Sequence, residues 1–455
     1  MKFNNLQLKK KEKLTWTNNT NLIIFAFSSV FYGRIFCSLT GAPSVLSHAH
    51  FAFIPIVFGI TLTTTPTKEP QQIKLIFSFL LGLFIFLVTV LASAFWNYSG
   101  LINAIVSFAM LGEPLLFLVA IICIPMTDRS YRRIKKWLIW SIVINFVLAA
   151  LQKPLIDAGL LYADGFNGTD GCGGVFFVSG AGNYLSASVS FAFAIYFLVN
   201  EKKTALWIRV AVMGAAFWQI LFSDSKQLLF AYLIAWLLLI VLNSTNIGQT
   251  LKLLMGIILF GLVFFWCMEN IEAFKAFSAW ARPELYGRDG EAWYAKFYGV
   301  RMISSQLQSP IDWLFGLGPG HTVSRLGVWF LRDYWSLFAP LGATTTKIGV
   351  ETREFVNSFW LTYSSSLFSP IFGWAGVWGD LGLLGLGSYL CLTYLVWQNF
   401  ALDTSLRITL LAIVVLGFIF TQLEEPGYML SIALILGLAW QEKRLKLQKN
   451  RLLIE

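Results

Sequence analysis

Charge is scarce in this sequence. Asp, Glu, Lys and Arg make up 13% of its 455 residues, against 57% hydrophobic. A soluble globular domain carries about a quarter charged residues, so that class is excluded. Histidine is nearly absent, with three copies. Five cysteines (Cys37, Cys123, Cys172, Cys267, Cys391) are scattered, and all but Cys172 fall in apolar segments. They offer neither a metal-ligand spacing nor a disulfide framework. There is no P-loop, no GxGxxG between a strand and a helix, no HExxH and no Asp-x-Asp. The segment GAPSVLSHAH contains no acid, which argues against a metal-dependent sugar transferase of the dolichol type. No repeat of 20–50 residues and no inverted repeat stands out. No cleavable signal peptide is read in MKFNNLQLKKKEKLTWTNNT, because the apolar run after it outlasts a signal h-region.

What the chain has instead is long apolar runs. Stretches of about 18 residues or more recur along it, long enough to cross a bilayer as helices. The reading is twelve spans: 21–40, 50–66, 74–96, 102–125, 137–154, 181–199, 206–222, 227–243, 251–268, 380–398, 406–422 and 427–440. The expected fold is all-α, a polytopic integral membrane protein with a single membrane domain over 1–455. With the N-terminus cytoplasmic, the inner segments, the tails and the inner ends of the spans hold 22 of the 34 Lys and Arg but 7 of the 24 acids. The positive-inside rule then puts both termini in the cytoplasm. The basic tails (Lys9, Lys10, Lys11, Lys13; Lys443, Arg444, Lys446, Lys449, Arg451) read as topology signals meeting anionic lipid, not nucleic acid.

Residues 269–367 break the apolar pattern. A stretch this polar cannot lie in hydrocarbon, so it is expected as a large, partly helical extracytoplasmic loop between spans nine and ten. Within it ENIEAFKAFSAWA reads as an interfacial helix, and Glu291 to Gln308 as a helix ending before Pro310. FGLGPGH reads as a tight turn. Beyond the loop, Gly376, Gly379, Gly382 and Gly385 recur every third residue, a spacing that permits close helix contact in a membrane. The earlier outer segment QKPLIDAGLLYADGFNGTDGCGGVFFVSGAGNY is glycine-rich and suits a loop lining a cavity.

The loop's chemistry is basic and aromatic. Arg282, Arg288, Arg301, Arg325, Arg332 and Arg353 offer planar, bidentate donors suited to phosphate or carboxylate. Trp293, Trp313 and their neighbours offer flat faces for sugar rings, although tryptophan also collects at membrane interfaces regardless of function. His321, after GLGPG, is a candidate general base, as are Glu351 and Glu354. His48 and His50 supply two metal ligands without a third. Arg34 and Glu113 are charges inside spans, placed to line a wet cavity or to pair with each other. Asp224 and Lys226 form a polar corner between spans seven and eight, where a solvated ion pair is the simplest reading.

Several stretches resemble the bacterial O-antigen polymerase and O-antigen ligase superfamily. LFSDSKQLLFAYLIAW, RDGEAWYAKFYGVRMISSQLQSPIDWLFGLGPG, VNSFWLTYSSSLFSPIFGWAGVWGDLGLLGL and GTDGCGGVFFVSGAGNYLSAS each look like a segment of that pattern, over roughly residues 160–395. The resemblance implies a glycosyltransferase that joins undecaprenyl-diphosphate-linked oligosaccharide repeats into a surface polysaccharide. It would work at the outer face of the bacterial inner membrane without cofactor or metal. Its expected associates are membrane lipids, a repeat-unit flippase and a chain-length regulator, with no nucleic acid. On that basis Arg288, Arg301, Arg325, Lys226 and Arg34 would bind the diphosphate, Trp293 and Trp313 the glycan, and His321, Glu351 or Glu354 would take the acceptor proton. Lys226 stands where the family often has arginine. Val356 precedes Asn357 where ligases have histidine, which favours polymerase over ligase. A transporter is the competing class, but its polar groups would concentrate at the membrane midplane.

Overall fold

The computed structural model describes residues 19–65, 69–161, 171–177, 181–242, 247–271, 274, 282–287 and 290–454. Among them every regular element is helical, as expected. The bent pair α1 (Asn19–Phe31) and α2 (Gly33–Thr40) is followed by α3 (His50–Thr64), α4 (Pro70–Trp96), α5 (Leu101–Cys123) and α6 (Asp128–Asp157). Next come α7 (Gly182–Asn200), α8 (Leu206–Phe222), α9 (Gln227–Leu242) and α10 (Ile247–Asn270). The polar loop contributes α11 (Glu291–Lys296), α12 (Tyr298–Gln306), α13 (Pro310–Phe315), α14 (Lys347–Ser358) and α15 (Trp360–Ser364). Three long elements close the chain: α16 (Gly373–Phe400), α17 (Thr404–Ile419) and α18 (Pro426–Ile454).

Among the described residues six helices are long and apolar enough to cross a membrane, or seven if the bent pair is one span. The chain is a helical membrane protein. Each of the twelve apolar stretches coincides with a helix. Burial separates them: 72% of the apolar window is enclosed in both α5 and α7, but 33% in α4 and α6. Helices α5 and α7 are therefore central, and α4 and α6 leave rows such as Phe77, Phe84 and Val88 on α4 and Trp140, Val143 and Val147 on α6 facing outward. The end of α5 shows how a buried helix terminus is satisfied. Gln441 Nε2 donates to the carbonyls of Ile121 and Ile124 at 2.8 Å, and Gln72 donates to Ile122.

Polar contacts sort the helix ends into two groups. On one face Arg444 meets Glu69 at 3.0 Å, Lys449 meets Asp128 at 2.7 Å, Tyr131 donates to Glu442 at 2.7 Å and Lys135 pairs with Glu201. On the other, the 290–372 segment packs against the α2–α3, α4–α5 and α17–α18 turns. These are the two sets that alternating spans would separate.

The loop seats itself on a break in α16. Gly382 sits inside that helix at φ 65°, and Gly316 faces it at φ 73°. A Cβ on Gly382 would lie 2.4 Å from the Gly316 nitrogen, so neither position tolerates a side chain. Leu317 N donates to Gly379 O at 2.8 Å, and Gly318 N to Asp380 O at 3.0 Å. A Cβ on Gly379 would meet Thr322 Oγ1 at 2.7 Å, and one on Gly376 would meet Ser324 Cα at 2.8 Å. Gly376, Gly379 and Gly382 of the every-third-residue series thus receive the loop and do not bring two long helices together as expected, while Gly385 faces Leu381 of its own helix. The stretch Glu291–Gln308 is also not one helix, because it breaks at Phe297 (φ −96°, ψ 9°) into α11 and α12. Apart from Glu269 to Ile271, Phe274 and Arg282, the expected interfacial helix and its surroundings lie outside the described residues.

Candidate functional site

The site begins at that glycine junction. The segment 316–320 is held on its other side by the α4–α5 turn. Asn97 Nδ2 donates to Gly316 O at 3.1 Å, and Asn103 Nδ2 to Pro319 O at 2.9 Å. Asp380, at the start of the break, then receives the loop's backbone. Gly320 N donates to its carboxylate at 2.7 Å, Thr322 N at 2.9 Å and Thr322 Oγ1 at 2.6 Å. A buried carboxylate is costly unless its oxygens are hydrogen-bonded, and these donors meet that need. The consequence is positional: Ser324 and Arg325, which follow at once, are delivered to the α17–α18 turn.

There Arg325 Nη1 lies 2.7 Å from Glu425 Oε1 and donates to Glu424 O at 3.0 Å. The other oxygen of Glu425 takes Arg34 Nη2 at 3.3 Å. Arg34 reaches this point because the helix pair α1–α2 bends by 60° at Tyr32–Gly33. Two guanidinium groups share one carboxylate, all three largely buried. Burial, reinforced by the charge of Asp380, pushes the neighbouring Glu424 carboxyl up to about 8, so it is mostly protonated at neutral pH. The Arg34–Glu425–Arg325 cluster therefore retains one net positive charge.

The cluster forms the wall of an open cleft of about 340 Å³. Arg34 and Arg325 line it together with His48, Trp329, Asp333 and Tyr334, and Phe177 closes one side. Phe177 belongs to the glycine-rich segment after α6, the part expected to line a cavity. His48 is held edge-on by Phe330 (4.9 Å) and Tyr334 (5.4 Å). Its Nδ1 is buried and has no hydrogen-bond partner among the described residues. His50 does separate work, with Nδ1 2.8 Å from Glu113 Oε1. Arg34 and Glu113 thus do not pair with each other, and the two histidines of SHAHF are divided between two roles.

The remaining sequence candidates scatter. His321 is buried: its Nδ1 donates to Leu317 O at 2.9 Å, and Nε2 lies 2.7 Å from Thr344 Oγ1. Burial holds its imidazole below the ordinary value and neutral. His321 is a packing residue under the loop, not a base facing the cleft, because both ring nitrogens are committed. Glu351 and Glu354 sit on α14 and do not line the cleft; Glu354 is exposed. Arg301 is exposed, stacked 4.4 Å over the Tyr294 ring. Lys226 pairs with Asp224 at 2.7 Å, as the corner suggested, and is not part of the cleft wall. Trp293 stacks on Phe297 at 5.6 Å, and Trp313 packs 5.8 Å from Trp378. Arg288 lies outside the described residues.

Reading by residue type missed Glu424, Glu425, Asp380 and Lys296. The available signal was LEEPG, two adjacent acids in a short turn between apolar spans. Lys296 gave no signal. Its Nζ donates to Ser369 O at 2.9 Å and to Ile419 O at 3.0 Å, the last carbonyl of α17, beneath the Phe372 ring. Burial pushes this amine down to about 7. It ties the loop to a helix C-terminus, where a donor is favoured.

Fold and site together define a helical membrane protein with an arginine-walled cleft beside a loop seated on a broken helix. Compared with family models and with curated proteins, the sequence matches none.

Proposed function

We propose that this chain is a polysaccharide polymerase of the bacterial inner membrane. It would have twelve spans and cytoplasmic termini, and would join polyprenyl-diphosphate-linked oligosaccharide repeats at the outer face. One observation carries this reading: Arg34 and Arg325 share the single carboxylate of Glu425 at the wall of a 340 Å³ cleft. The excess positive charge suits a diphosphate, whose oxygens accept the parallel N–H bonds that guanidinium offers. In the reaction the acceptor hydroxyl attacks the anomeric carbon of the donor. The bond from that carbon to the diphosphate breaks, and the leaving diphosphate departs with the electron pair, stabilised by the two arginines. The proton of the acceptor hydroxyl passes to Asp333, the half-exposed carboxylate that lines the cleft. The energy comes from the sugar–diphosphate bond, so no nucleotide is needed.

The test uses the purified full chain in lipid nanodiscs, supplied with polyprenyl-diphosphate-linked repeat units. A ladder of longer lipid-linked glycans is expected, with Arg325→Ala and Arg34→Ala removing it. Transfer of the glycan to a lipid or protein acceptor without lengthening would make the chain a ligase instead. Specific solute uptake into proteoliposomes without any transfer would make it a transporter.

A further inference from the structure

A second surface adjoins the cleft. Helices α11 and α15 and the break at Phe297 bring together Trp293, Tyr294, Phe297, Trp360 and Tyr363, which are 39–70% exposed. Beneath them Tyr298 lies flat against Phe355 at 4.0 Å with an interplanar angle of 2°, and Phe355 stacks on Phe359 at 4.9 Å. These inner rings fix the outer ones. Tyr294 meets both Phe355 (5.8 Å) and Phe359 (5.9 Å). Exposed large apolar side chains gathered in one place mark an interaction surface.

The chemistry between the rings selects the occupant. Arg301 stands over Tyr294 and donates to its carbonyl at 2.7 Å. Glu291 accepts Trp360 Nε1 at 2.7 Å, and Glu354 and Asn357 are exposed on the neighbouring turns of α14. Charged groups in the same face would have to be desolvated against bilayer hydrocarbon, which disfavours lipid. Flat rings with polar groups at their edges match a pyranose, which has an apolar face and a hydroxylated rim. The surface is also continuous with the cleft. Helix α14, about 18 Å long at 1.5 Å per residue, carries Arg353 over the ring of cleft-lining Trp329 (4.9 Å) and Phe355 under the aromatic surface.

We infer that this face is a glycan-binding platform that holds the growing polysaccharide as it leaves the cleft. The inference rests on the polymerase reading. Held there, a chain stays bound between additions, so the platform sets product length without taking part in bond formation. The test is the nanodisc assay on the native chain and on Trp360→Ala and Tyr363→Ala, read as a length distribution. The expected result is a modal length shortened by about twofold or more in the variants, with the rate of the first coupling and the melting temperature unchanged. Tyr363→Phe should restore the length. A native ladder with unaltered lengths in both variants would overturn the platform alone. No ladder from the native chain would overturn the polymerase reading and the platform with it.

Discussion

At the scale of single residues, environment separates arginines that look alike in the sequence. An exposed pair or stack contributes roughly 0–1 kcal/mol, whereas removing one partner of a buried ion pair costs roughly 3–5 kcal/mol. Arg301 belongs to the first kind and Arg325 to the second. Arg325→Ala should lower the coupling rate by about 10²-fold or more and destabilise the chain. Arg325→Lys should recover part of the stability and little of the rate, since an ammonium keeps the charge but not the fork. Equal loss from Arg301→Ala and Arg325→Ala in the first coupling step would contradict this ranking. Glu424 makes a pH prediction. Its carboxyl is raised from 4.5 to about 8 in the folded chain. Between those values the folded state holds more protons than the unfolded one, so this group's contribution is full below pH 4.5 and is lost as pH rises toward 8. Melting curves across that window should fall with pH in the native chain and less steeply in Glu424→Gln. Parallel slopes would remove Glu424 as the cause.

At the scale of elements, the broken helix α16 decides where everything else sits. Gly382 must be left-handed for the chain to turn there, and Gly316 must lack a side chain to approach it. Gly382→Ala and Gly316→Ala should each lower the melting temperature in detergent and abolish coupling. Both glycines combine positive φ with ψ near −160°, a region essentially closed to alanine at about 1–3 kcal/mol, and contacts near 2.5 Å add to that. Gly387→Ala, later in the same helix with open space around it, should change neither. A wild-type melt from Gly382→Ala would show that the loop does not depend on the break. The glycine spacing was legible in the sequence, but its use was not. Spacing reports that something comes close, and the partner proved to be the GLGPG segment 60-odd positions earlier, not a neighbouring helix.

At the scale of the whole molecule, the proposed orientation puts Tyr363 outside and Lys203 inside. Both are exposed. In a variant freed of native cysteines, Tyr363→Cys should react with a membrane-impermeant maleimide on intact spheroplasts. Lys203→Cys should react after permeabilisation alone. The reverse pattern would turn the molecule over and remove the outer-face chemistry with it. The structure already groups the helix ends into the two sets that alternation demands. One set gathers Glu69, Asp128, Glu201 and Glu442 with their basic partners; the other gathers Arg34, Asn97, Arg325 and Glu425.

The sequence by itself determined the class, because backbone polar groups in hydrocarbon leave a chain this apolar little choice but membrane helices. It also marked the polar loop and named Arg34 and Arg325. Residue type could not say which charges meet. Arg34 and Glu425 are 391 positions apart, and their meeting depends on a 60° bend in one helix and a glycine break in another. Tertiary structure decided that His321 is packing, that Glu425 joins the two arginines, and that His48 lines the cleft. The physical reason is the same in each case: burial and partner set a charged group's role, and both are properties of the packed chain.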